Sequence, residues 1–69
     1  MGISYKKLWK LLIDKDMKKS QLREAASLSS STIAKLTRNE YVALDVLVRI
    51  CAVLNCDSGE IAEVKLDEQ

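Results

Sequence analysis

Histidine and proline are both absent from this chain of 69 residues, and glycine occurs only at Gly2 and Gly59. Without histidine the commonest general base and the commonest metal ligand are missing, so hydrolase triads and histidine-based zinc sites are excluded. The only cysteines, Cys51 and Cys56, are too few for a four-ligand structural zinc site and lack the CxxC spacing of a redox pair. Both read as reduced thiols, with Cys51 in the core, because a disulfide between them needs a break in the helix. No apolar run reaches 18 residues, and Lys6, Lys7 and Lys10 break up the N-terminal segment. Neither a membrane span nor a secretory signal is expected, which points to a cytoplasmic protein. Asp14 and Asp16 stand two apart, on different faces of a helix, and form no acid/base pair. An enzyme, a cofactor site, a metal site and a small-molecule substrate are therefore not expected.

What is present suits one small folded module. An apolar content of 48% with 30% charged residues matches a soluble globular domain and is too apolar for a disordered segment. At 7.7 kDa there is room for one domain, in which a deep catalytic pocket has little space. The net charge of +1 conceals a split. Residues 1–40 carry nine cations against four anions, whereas residues 41–69 carry Arg49 and Lys65 against six carboxylates. A basic half of this kind attracts a polyanion while the acidic half resists nonspecific adhesion.

Abundant leucine, alanine, lysine and glutamate predict an all-α domain. The first helix is expected over about Tyr5–Lys15, capped by Ser4, with Tyr5, Leu8, Trp9 and Leu12 on one apolar face. A second runs over about Lys19–Ala26 with Leu22, Ala25 and Ala26 inward. The third opens after Ser29, buries Ile33 and Leu36, and ends at Thr37 or Arg38. The fourth covers Leu44–Leu54, where Leu47, Ile50, Cys51 and Leu54 follow the i, i+3, i+4, i+7 pattern. Asp57 and Glu60 have the spacing of a capping box for a short fifth helix ending near Ala62. An ordered core of about residues 3–64 and a frayed tail complete this five-helix expectation. Trp9 reads as core, and Tyr5 and Tyr41 as packing or loop anchors.

Helices two and three are both about two turns long and are joined by the tight connection Ser27-Leu28-Ser29, as in a helix-turn-helix. Ser29, Ser30, Ser31 and Thr32 form the small polar first turn that a groove-entering helix needs. The stretch MKKSQLREAASLSSSTIAKLTRNE resembles the helix-turn-helix of the phage Cro/repressor-type transcription regulators. YKKLWKLLIDKDMKKSQLREAA at the front and LDVLVRICAVLNCDSGEI behind resemble that family's small stand-alone members, so the likeness spans about residues 3–64. Four positions depart from the pattern. Arg23 stands where alanine is frequent, Ser27 where the turn glycine is usual, and Lys18 and Ala43 where Ser or Thr caps are common. Ser27 then has to adopt a left-handed or nearly left-handed backbone.

The resemblance implies a regulator that binds double-stranded DNA. It assigns Lys19 to a phosphate contact, Ser29 to the cap of the recognition helix, where it bonds a phosphate or its own helix, and Ser30, Ser31 and Lys35 to base edges. Thr32 lies close to this face, and Arg38 approaches the backbone just past the helix. Serine reaches a short distance, so specificity is expected to lean on DNA shape and on two half-sites. Helix four has more apolar residues than one face requires. Val46 and Val53, seven apart, with Val42 and Leu66 nearby, suggest the surface of a homodimer. The competing expectation is a protein-interaction module that uses the same stripe to dock a partner.

Overall fold

The structure, a computed structural model, describes residues 2–66. A short strand β1 (Gly2–Ser4) leads into four helices, α1 (Lys6–Asp14), α2 (Lys19–Ala25), α3 (Ser30–Thr37) and α4 (Leu44–Leu54). A single 3-10 turn (Ser58–Glu60) and strand β2 (Glu63–Lys65) follow. Among the described residues no helix is long and apolar enough to cross a membrane.

Two expectations change. The expected fifth α-helix is only this 3-10 turn, and the Asp57 side chain makes no capping hydrogen bond to it. Ile61 is fully buried and β2 begins two residues later, so the chain passes from this turn directly into the sheet. The all-α expectation fits, with a short two-stranded sheet beside the helices. β1 and β2 pair antiparallel, with Gly2 opposite Lys65, Ile3 opposite Val64 and Ser4 opposite Glu63, so Lys65, expected in the frayed tail, is part of a strand.

Leu8 and Leu12 of α1, Leu22 and Ala26 around α2, Leu28 of the turn, Leu36 of α3, Val46, Ile50 and Leu54 of α4, and Ile61 form one core with Tyr5. Ala25, expected inward, is exposed. Tyr5 joins distant parts of the chain: its N–H donates to Asn39 Oδ1 (3.0 Å) and its hydroxyl to the Glu40 carbonyl (2.8 Å). Burial pushes its phenol pKa up. Tyr41, by contrast, is exposed. α1 begins one residue later than expected, and the Ser4 hydroxyl accepts from the Lys6 N–H (3.3 Å).

All four helices end in the same way. Asp16, Ser27, Asn39 and Asn55 have φ of 55°, 57°, 57° and 54°. The N–H of the residue after each then donates five residues back: Met17 to Leu12, Leu28 to Arg23, Glu40 to Lys35 and Cys56 to Cys51. This is the Schellman closure, which satisfies carbonyls otherwise orphaned at a helix end. Asn and Asp visit the left-handed region more readily than other non-glycine residues, so Ser27 is the residue least suited to its place. The sequence had required that conformation of it.

α4 is rotated relative to the expected packing. Val46, Ile50 and Leu54 are buried, whereas Leu47 and Cys51 only lean against the core. Val46, expected on an exposed stripe, is 9% exposed and belongs to the core. Val42 and Val53 pack partly against the same core. The apolar side chains that α4 leaves in solvent are Leu44 (73% exposed) and Val48 (60%). Cys51 and Cys56 are free thiols, both half-buried. Burial, with the Cys51 thiol next in order, pushes the Cys56 thiol pKa up.

Candidate nucleic-acid interface

The helix-turn-helix is α2, the turn through Ser27 and Leu28, and α3. Leu22, Ala26, Leu28 and Leu36 bury its inner side, which leaves the polar first turn of α3 facing solvent. Ser29 has an extended backbone, and its Oγ accepts from the Thr32 N–H (3.1 Å). It is the cap of α3, worth about 1 kcal/mol in comparable helices. The same oxygen lies 3.0 Å from Ser31 Oγ and 2.9 Å from Thr32 Oγ1. Ser29 is thus engaged by its own helix, and Ser31 and Thr32 share its hydroxyl network.

Ser30, Ser31 and Lys35 are exposed on α3, and Thr32 is half-buried. Ser31 and Lys35 are four residues apart, so they share one helical face. Lysine and serine there present donors and acceptors of the kind that read base edges in a major groove about 12 Å wide.

Beyond α3, Arg38 does not project freely. Its Nε donates to Glu40 Oε2 (2.7 Å) in an exposed ion pair. The Arg38 side chain beside it holds the Glu40 carboxyl below the usual carboxylate range, and the same hydrogen bond raises the Arg38 pKa. The bond occupies Nε and leaves the terminal nitrogens of the exposed Arg38 side chain outside this pairing. Glu40 lies in the loop after α3, where no periodic pattern exists to flag the pairing.

Lys19 opens α2, and its ammonium lies 4.2 Å from the centroid of the Trp9 ring on α1. The same Nζ donates to Thr37 Oγ1 (3.2 Å) at the end of α3, and that hydroxyl donates onward to the Ile33 carbonyl (3.0 Å). Trp9 is packed against the core as expected, yet only partly buried, and its outer face carries the lysine. The turn is braced separately: Arg49 of α4 donates to the Ser27 carbonyl (3.1 Å) and pairs with Asp45 one turn earlier. Caps are absent at Lys18 and Ala43 as read from the sequence, though Gln21 Oε1 accepts from the Lys18 N–H (2.7 Å).

With this geometry in place, the family is decided by a match of residues 7–67 to the Cro/C1-type HTH DNA-binding domain. The chain belongs to the Cro/C1-type helix-turn-helix family. A crystal structure of the transcriptional regulator VanUg is similar, with 63% sequence identity and a TM-score of 0.88 over 90% of this chain and 83% of that one. No curated protein matches. Membership of the Cro/C1-type family makes the chain a DNA-binding domain, and the small sheet and the 3-10 turn described above stand beside the four helices of this member.

Proposed function

We propose that the chain is a transcription regulator of the repressor type that binds double-stranded operator DNA in the cytoplasm, with α3 lying in the major groove. The observation that carries this reading is the exposed polar face of Ser30, Ser31 and Lys35 on the second helix of a Cro/C1-type motif, and the likeness to the transcriptional regulator VanUg supports it. Lys35, Ser30 and Ser31 address base edges, with Thr32 at their margin. Lys19 and Arg38 address phosphates on either side, and Ser29 caps the reading helix. A homodimer presents two such helices to half-sites about 34 Å apart. Its surface is drawn from Leu44 and Val48 of α4 and from Leu66, all exposed, with Val53 at the margin and without the buried Val46.

Binding of random and selected duplexes across a salt series tests the reading. With about four to six phosphates engaged per protomer, log K falls against log salt by about 0.9 per contact. Affinity that does not respond to salt, or no duplex binding in dilute buffer, refutes it. A selection from randomised duplex DNA then supplies the preferred site.

A further inference from the structure

Lys19 is held from two sides, by the Trp9 ring at 4.2 Å and by the Thr37 hydroxyl at 3.2 Å. A lysine on an exposed helix start ordinarily samples many rotamers, and ordering such a side chain opposes any contact it makes. Here that ordering is present before a ligand arrives. An ammonium has three N–H donors. One is taken by Thr37 Oγ1, and the side of the ammonium toward Trp9 is occupied by the ring face, which attracts a cation through its quadrupole. Thr37 is fixed in turn by its bond to the Ile33 carbonyl. Lys19 therefore links α1, α2 and α3 and turns its remaining donor capacity outward, at the end of α3 opposite the Ser29 cap.

We propose that Trp9 and Thr37 are positioning residues for DNA binding: together they aim the Lys19 ammonium at a phosphate, so that two residues outside the base-reading face set the strength of a contact made by a third. The proposal rests on the assignment of Lys19 to a phosphate. A phosphate contact carries no sequence information, so the effect is uniform over duplexes and visible in the salt dependence.

The experiment measures duplex binding over a salt series for the full chain with Trp9→Leu, Trp9→Phe and Thr37→Val, each alone and with Lys19→Ala, for variants whose circular dichroism matches wild type. Trp9→Leu and Thr37→Val are each expected to weaken preferred and random duplexes alike by about two- to fivefold and to reduce the salt slope by up to about one unit. Trp9→Phe retains an aromatic face and restores most of the affinity, and neither Trp9→Leu nor Thr37→Val adds a loss once Lys19→Ala is present. The exposed Thr37→Val keeps the proposal testable should Trp9→Leu unfold the domain. Equal losses with and without Lys19, or no loss from either variant, overturn the positioning role. If Lys19→Ala leaves the binding of an otherwise competent protein unchanged, the phosphate assignment fails, and the proposal fails with it. If the wild type binds no duplex, the functional reading itself fails.

Discussion

Arg49 donates a hydrogen bond to the Ser27 carbonyl oxygen at 3.1 Å, tying α4 to the turn of the DNA-binding motif. The bond reaches the one helix end where neither glycine, Asn nor Asp occupies the left-handed position. A left-handed backbone disfavours a residue with a Cβ by roughly 1–2 kcal/mol, and the Schellman bond from Leu28 to Arg23 (2.8 Å) holds the turn in place. The angle between α2 and α3 therefore depends on a strained serine supported by an arginine 22 residues further along the chain.

Ser27→Gly is expected to remove most of this strain. A gain of about 1 kcal/mol raises the melting temperature of a domain this size by roughly 4–8 °C, partly offset by the greater freedom of glycine in the unfolded chain. Thermal unfolding followed by circular dichroism checks it. A melting temperature equal to or below that of wild type means that Ser27 is not strained.

Two substitutions on α4 separate the core from the proposed dimer surface. Val48→Glu alters an exposed side chain and is expected to leave helicity unchanged while shifting sedimentation from dimer to monomer. Val46→Glu places a carboxylate among Ile50, Leu54 and their neighbours, where an unpaired charge is strongly unfavourable, and is expected to unfold the domain. A wild-type chain that sediments as a monomer, both at high concentration and on a two-half-site duplex, refutes the dimer.

The contrast between those two valines shows what the sequence can and cannot specify. The i, i+3, i+4, i+7 pattern fits Leu47, Ile50, Cys51 and Leu54, and Val46, Ile50, Val53 and Leu54 fit an equivalent apolar face. With apolar residues almost all round the helix, spacing alone cannot choose its rotation; contacts with distant elements do. The Ser29 cap was legible because it is a bond across three residues. The pairing of β1 with β2 joins segments some sixty residues apart, each only three residues long, and leaves no local signature. Lys19 was legible as a cation at the start of a helix, whereas its place on Trp9 depends on how α1 and α2 pack around the intervening corner.

Glu40→Gln tests whether the Arg38 ion pair restrains a phosphate contact. Removing the carboxylate charge frees Arg38, so duplex affinity is expected to rise about two- to fivefold and the salt slope to steepen by up to one unit. The pH dependence has a definite sign. Because Arg38 lowers the Glu40 pKa, the ion pair is complete above the ordinary carboxylate range near pH 4.3 and is lost only as pH falls through the depressed value. Its small contribution to stability is thus present at neutral pH and disappears in acid. Between pH 5 and 8 the difference in affinity between Glu40→Gln and wild type should stay constant. A decrease in affinity, or a difference that changes across this window, excludes the restraint.

Lys35 and Lys19 are both exposed lysines of the motif, yet their positions predict losses of different kinds. Lys35 shares a face of α3 with Ser31, on the helix assigned to the groove, where an ammonium can donate to guanine O6 and N7. Lys19 lies at the start of α2 against Trp9 and Thr37, away from that face and suited to the sugar-phosphate backbone. Lys35→Ala is expected to lose roughly 1–3 kcal/mol on the preferred duplex and to relax selectivity at one or two base pairs, while random duplexes are less affected. Lys19→Ala is expected to weaken every duplex by a similar factor and to lower the salt slope by about one unit. Competition between the selected site and its single-base variants, repeated at several salt concentrations, distinguishes the two. If Lys35→Ala weakens selected and random duplexes equally, Lys35 contacts phosphate, and base reading must come from Ser30, Ser31 or the loop after Arg38.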